Sequence, residues 1–250
     1  MRKALTKPSN WLFNHCFSAY RPLYALYKRI SDRHERAVIR QLIGPGAVVV
    51  DIGANIGEYT AFFSKIVGPT GRVFAFEPGP QNFARLNARV ETSANVTTVQ
   101  SAVGDTNGEL SFYLSTDLNV DHRTYDTGDG RAVTTVPVCR LDDYFQTQQR
   151  IDFIKIDVQG FEHNVLQGAR RVLTDNPNLT LIAEFWPYGL AKAGSSPRDF
   201  LKFLTSLGFD YIALNSNFSR RPNLNDLDPL RENQYCNILL SRTSSKCLPP

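Results

Sequence analysis

The chain reads as an α/β protein built on a doubly wound, mostly parallel sheet, and three observations lead there. Val48–Gly57 is a β-branched run closed by an acid and a short glycine-containing turn, and a helical apolar spacing follows at once. Arg72–Phe76 repeats that strand one unit later and ends in Glu77-Pro78. Beyond it, apolar runs and helix-period segments alternate as a parallel sheet requires. At 250 residues a single domain is expected, able to bury roughly 70% of the surface its unfolded chain exposes.

The elements follow in order. In the lead segment, Tyr20, Leu23, Tyr24, Tyr27 and Ile30 share one helical face, with Pro22 suited to a first turn. After the first strand, residues 58–66 form a helix. Pro80 opens another, with Phe83, Leu86 and Val90 spaced by three and four, and Val96–Val103 reads as the third strand. Glu109–Leu114 and Val133–Val138 read as an added hairpin joined by the polar stretch 115–132, a loop long enough to be functional. Ile151–Ile156 is a buried-type strand, followed by a helix carrying Phe161, Val165, Leu166, Ala169, Val172 and Leu173 on one stripe. Leu179–Phe185 is the next strand. Ser196-Pro-Arg-Asp199 resembles a capping box before a helix with Phe200, Phe203, Leu204 and Leu207. Strands near Tyr211–Leu214 and Tyr235–Leu240 close the chain, and the loop between them, with Arg220, Arg221 and Arg231, is a second candidate wall for a substrate.

Charge is segregated. Residues 1–45 hold nine Lys or Arg against Asp32 and Glu35, net +7, while the remainder holds 19 against 22, net −3. The chain therefore divides into a basic amphipathic helical segment, 1–45, and a main domain, 46–250. The plain reading of the first is a helix packed on the domain with its charges in water; a weak contact with a membrane surface or an anionic glycan is the second. The longest uncharged run near the start, Pro8–Tyr20, is short of the roughly 18 apolar residues of a spanning helix and has no signal-peptide pattern. Cys16, Cys139, Cys236 and Cys247 lack metal-ligand spacing, so reduced thiols in a cytoplasm are expected. The Asn95, Asn178 and Asn217 glycosylation patterns read as chance.

The first turn sets the ligand class. A dinucleotide site wants Gly-x-Gly-x-x-Gly, so that pyrophosphate meets bare backbone at a helix N-terminus, and an ATP loop wants Gly-x-x-x-x-Gly-Lys-Ser/Thr. Neither is present. Gly53 and Gly57 are the only glycines of the turn, and Asp51 before them repels pyrophosphate while suiting a cationic ligand with an ammonium group. S-adenosylmethionine (SAM) is such a ligand. Glu77 at the next strand tip is placed to accept hydrogen bonds from ribose hydroxyls.

These residues also carry a resemblance. Asp51-Ile-Gly-Ala-Asn-Ile-Gly57, Phe76-Glu-Pro78, Ser101-Ala-Val-Gly-Asp105 and Lys155-Ile-Asp-Val-Gln-Gly-Phe-Glu162 together resemble the FkbM family of SAM-dependent methyltransferases, in order over more than half the chain. The first element belongs to class I methyltransferases at large; the last narrows it to FkbM. The resemblance implies a Rossmann-like sheet of seven strands with the last antiparallel. It implies methyl transfer to oxygen. It carries Asp51, Gly53, Ala54, Asn55, Gly57, Glu77, Ala102 and Val103 into cofactor contact.

Methyl transfer from a sulfonium is an in-line displacement, and an alcohol attacks well only as its proton is removed. Lys155 and Asp157, two apart on a strand, share a face beside the expected methyl position; a salt bridge fixing the strand tip is the alternative. Glu184 is an acid in an apolar strand, and such an acid wants a partner. His122 stands in the 115–132 loop with a side chain suited to proton transfer. Together Lys155, Asp157, His122 and Glu184 are expected around one point. Asp157, Glu162 and Glu184 could meet on a cation, but no ligand spacing supports a metal. The acceptor is read as a hydroxyl of a saccharide, glycan or other small molecule, the basic aromatic segment favouring a glycan over a polyketide. Alternatives are methylation of RNA or protein, or an inactive SAM-binding module; the net negative body with no basic aromatic stacking motif argues against nucleic acid.

Overall fold

The computed structural model describes residues 11–115, 121–214 and 234–242. Two helices, α1 (Phe17–Ser31) and α2 (Arg33–Leu42), lead into β1 (Val48–Ile52), α3 (Glu58–Val67), β2 (Arg72–Phe76), α4 (Pro80–Val90) and β3 (Val96–Val99). Next come β4 (Ala102–Val103), β5 (Gly108–Leu114), β6 (Ala132–Cys139) and α5 (Leu141–Tyr144). β7 (Phe153–Ile156), α6 (Glu162–Gln167), α7 (Arg170–Asp175) and β8 (Thr180–Phe185) complete the parallel part, and α8 (Pro187–Lys192), α9 (Pro197–Ser206), β9 (Phe209–Ala213) and β10 (Cys236–Arg242) end the described chain.

Among the described residues the main sheet has seven strands in the order β3-β2-β1-β7-β8-β10-β9, and of these only β10 runs antiparallel, to both β8 and β9. Its strands alternate between two cores. Val50, Ile52, Ile154, Ile156, Leu181 and Ala183 face one side, packed with α6, α7 and α9. Val49, Val73, Phe153, Ile182 and Leu239 face the other, against Val38, Ile39, Phe62 and Phe63 of α2 and α3. That two-residue period, apolar on both faces, is what a sheet covered by helices on both sides demands. Asp51, Lys155 and Glu184 lie in step with Val49, Phe153 and Ile182, so three charged residues share the second face at the carboxyl ends of three neighbouring strands. Asp51 and Lys155 are register partners.

Four sequence expectations are corrected. Val96–Val103 is not one strand: the chain leaves the sheet after Val99, and Ala102–Val103 pairs with β6 in a separate sheet ordered β4-β6-β5. The helix expected after β7 is two short ones. Gly168 separates them, and a Cβ there would lie 1.8 Å from the Gly104 carbonyl oxygen. Helix α1 begins at Phe17, so Pro22 sits inside it and the helix forgoes one i→i−4 bond. Of the face expected to pack, only Tyr20 is buried; Leu23, Tyr27 and Ile30 are exposed. The start of α9 is as expected, with Ser196 Oγ accepting from the Asp199 amide at 3.0 Å. Asp117, Asn119, Asn217, Arg220, Arg221, Arg231 and Cys247 lie outside the described residues. Cys16, Cys139 and Cys236 are free thiols.

Candidate active site

The carboxyl ends of β1, β2, β7 and β8 open into one cavity of about 1350 Å³. At one end stands the glycine turn. Gly53 has φ +79°, and a Cβ there would come 1.9 Å from the Asp157 carbonyl oxygen, so no side chain fits. The Gly53 and Ala54 amides both donate to the Phe76 carbonyl at 3.0 Å, which hangs the turn on β2. Asn55, itself left-handed at φ +52°, donates its amide to Glu77 Oε2 at 2.8 Å, and the Gly79 amide donates to Glu77 Oε1 at 2.8 Å. Glu77 is thus a staple between the two strand tips as well as a lining residue. Each of its oxygens keeps a second lone pair for a ligand hydroxyl. Burial pushes its pKa up to about 7, against those two amide bonds. Gly57, at φ +82°, opens α3.

Asp51 is buried, with Oδ2 accepting from Thr60 Oγ1 at 2.6 Å. Burial raises it to about 6, opposed by Lys155 and the Thr60 bond. Ala102 and Val103 also line the cavity, reached through β4.

The other end is a network of charges. Lys155 Nζ lies 3.3 Å from Asp157 Oδ2 and 4.6 Å from the centre of the Tyr59 ring. Gln159 Nε2 donates to Asp157 Oδ1 at 3.0 Å and to Glu184 Oε2 at 3.1 Å, joining the two carboxylates. Burial works to raise Asp157, but Lys155, Lys28 and the Gln159 bond together hold it below the usual carboxylate range. Glu184 goes the other way: burial, then Asp157 and Glu162, push it well up. The two carboxyls are thus pushed in opposite directions, and Asp157, the one favoured as the anion, has a side chain 36% exposed on the cavity. Glu162 points elsewhere, its Oε1 accepting from the Val158 and Gly160 amides at 3.2 Å, so it shapes the turn after β7. Among the described residues no three His, Cys, Asp or Glu side chains gather as metal ligands would.

The sequence reading expected His122 beside Lys155, Asp157 and Glu184; its contacts lie elsewhere on the cavity wall. It packs its ring on Phe112, 5.7 Å between centroids, and beside Gly79, on the Glu77 side. Its Nδ1 accepts from the Ser115 amide at 3.0 Å, and burial drives its pKa down to about 4. The cause is the pairing of Arg123 with Tyr113 through two backbone bonds, which turns the loop back on β5.

The sequence reading missed several lining residues. Lys28 and Asp32 form an ion pair at 2.7 Å, and Tyr59 Oη donates to Asp32 Oδ2 at 3.1 Å. Phe13 and Tyr20 pack on Ile56 of the glycine turn, and Asn237 of β10 donates to Glu35. The leading helices are thus a wall of the site. Rings of Tyr24, Tyr27, Tyr125, Trp186 and Tyr188 line the same cavity, with the Arg123 guanidinium 4.9 Å from the centre of the Trp186 ring. Gln159 and Trp186 stood inside motifs already singled out. Tyr59 and Asp32 carried no local signal.

The family model described as the methyltransferase FkbM domain matches residues 51–211. The 2-O-methyltransferase NoeI of Sinorhizobium fredii is 29% identical over 157 residues, 56% of this chain and 64% of NoeI. The hexuronic acid methyltransferase AglP of Haloferax volcanii is 28% identical over 185 residues, 71% of each chain. The chain therefore spans a little under two thirds of the length of NoeI. A Streptococcus mutans protein solved in complex with SAH superposes with a TM-score of 0.50 at 12% identity, covering 82% of this chain and 94% of that one. Identity that low speaks for a common fold alone.

Proposed function

This chain belongs to the FkbM methyltransferase family, and on that premise we propose that it transfers a methyl group from SAM to a hydroxyl oxygen of a saccharide. The observation that carries this reading is a single cavity with a glycine turn and Glu77 at one end and an ionised, reachable Asp157 at the other. SAM supplies a methyl carbon activated by its sulfonium. The residues present fit it: the bare backbone at Gly53 leaves room for close approach, the Asp51 and Glu77 carboxylates suit its positive charge, and Glu77 has lone pairs free for ribose hydroxyls.

The protein's own part is to hold, orient and deprotonate. Asp157 accepts the proton of the acceptor hydroxyl as the oxygen attacks, a role typically worth ~10²–10⁴-fold in rate. Lys155 and Gln159 fix its orientation from either side. Burial and the neighbouring Asp157 push Glu184 upward, which disfavours a second negative charge beside the base. The acceptor wall alternates aromatic faces with charged groups, which suits a sugar ring with its apolar C–H faces and polar rim. The name of AglP, which specifies a hexuronic acid, supports the same class.

The test is to incubate the protein with methyl-labelled SAM and an extract of its native host, then separate glycan, lipid, small-molecule, RNA and protein pools. Label in the glycan or small saccharide pool supports the reading. Label in RNA or protein, or tight SAM binding with no transfer to any pool, overturns it.

A further inference from the structure

The cavity accounts for the inward face of α1 but leaves its outward face unexplained. Leu23, Leu26, Tyr27 and Ile30 are 60%, 55%, 62% and 65% exposed. Their spacing by three and four sets them in one stripe along the helix, its Tyr27 edge adjoining the face that buries Tyr20. Four adjacent large apolar side chains in water are a marker of an interaction surface, where scattered single ones would not be. From this we infer that the stripe docks the protein on an anionic lipid bilayer.

Charge selects that partner. Residues 17–31 contain no acid, and Arg21, Arg29, Arg33 and Arg40 are all exposed on α1 and α2. The nearest acid, Asp32, is turned inward to Lys28 and Tyr59. By the helical repeat Arg29 flanks Leu26 at the edge of the stripe, so a positive charge borders its apolar side chains. An anionic surface meets both features: apolar side chains enter the headgroup boundary while the guanidinium groups meet phosphate. No helix among the described residues is long and apolar enough to cross a membrane, so the attachment is peripheral. Tyr27 belongs both to the stripe and to the cavity lining, so docking sets the cavity mouth beside the headgroups. This inference goes beyond the acceptor assignment and does not depend on it.

Flotation of the full chain with phosphatidylcholine vesicles, with and without about one third phosphatidylglycerol, tests it at low and moderate salt. The protein should float with the anionic vesicles only, and less as salt rises. Leu23→Asp with Ile30→Asp should lower the bound fraction by about tenfold or more, and Arg29→Glu with Arg33→Glu should reduce the salt-dependent part. Both variants should keep wild-type helicity and SAM affinity, which separates lost docking from lost folding. Equal flotation with neutral vesicles, no flotation, or variants that float like wild type would overturn the inference. So would sedimentation showing a wild-type dimer that the Leu23→Asp, Ile30→Asp variant dissociates.

Discussion

The glycine turn and the charged, aromatic wall opposite it border the same cavity, yet they are held by different means. The turn is fixed by main-chain geometry: the left-handed Gly53 and Asn55, two amides on the Phe76 carbonyl, and Glu77 bonding the Asn55 and Gly79 amides. The wall is fixed by side chains from distant parts of the chain, where Asp32 meets Tyr59, Tyr59 meets Lys155, and Gln159 links Asp157 to Glu184. A ligand shared across a superfamily can be met by a rigid backbone cradle, whereas an acceptor that differs between enzymes is met by side chains that can be exchanged without rebuilding a turn.

The sharpest way to break that contrast is Gly53→Ala. Its Cβ would meet the Asp157 carbonyl oxygen at a φ that disfavours any side chain, so a loss of about 3 kcal/mol or more is expected, with SAM binding abolished. A melt and a SAM titration like wild type would show that the backbone cradle is not needed. On the wall side, Asp157→Asn keeps the volume and removes the charge; turnover should fall by ~10²-fold or more while SAM affinity changes little. Near-normal turnover would make the Lys155–Asp157 pair a strand-tip brace and nothing more.

Glu77→Gln tests the cradle more gently. Losing the charged acceptor should weaken SAM by ~1.5–3 kcal/mol, read by calorimetry. The same variant has a pH signature. Burial raises Asp51 to about 6 and Glu77 to about 7, above the ordinary value of about 4, so between these limits the folded protein without cofactor holds protons that the unfolded chain has released. Stability from these groups is therefore present at low pH and lost as pH rises toward 7, and Glu77→Gln should flatten that decline in thermal melts. A melting temperature that rises across the window in both proteins would contradict the assignment. The smallest effect is expected for Tyr59→Phe, which removes the bond to Asp32. About 0.5–1.5 kcal/mol should appear as a higher KM for the acceptor, with SAM affinity unchanged.

Legibility in the sequence follows the same division. The turn from Asp51 to Gly57 could be read because its parts are consecutive, and because the acid, the glycines and the helix after them each leave a residue-type signature. The burial of β1, β7 and β8 was readable for the same reason, from apolar runs each interrupted by a single charged residue near its carboxyl end. Ala102 and Val103 were not placed correctly in the fold, since a pair of small apolar residues looks alike whether it joins the main sheet or leaves it to pair with β6. His122 was misplaced because its direction depends on the pairing of Arg123 with Tyr113 in a polar loop with no period. Tyr59 meets Asp32 across 27 positions, and nothing local to either residue announces the contact. The exposed stripe of α1 was read as a packing face because periodicity gives a face without saying which side of the helix meets the protein.

The central claim is that this one cavity moves a methyl group from SAM to a saccharide oxygen with Asp157 as the base. The most direct test follows the carbon. With ¹³C-methyl SAM and a purified saccharide drawn from the labelled host pool, wild type should release one S-adenosylhomocysteine for each O-methyl carbon seen on the sugar by NMR, and Asp157→Asn should bind SAM yet form that ether ~10²-fold more slowly. Methyl carbon appearing on nitrogen, on RNA or on protein, or equal ether formation by the two proteins, would contradict the account.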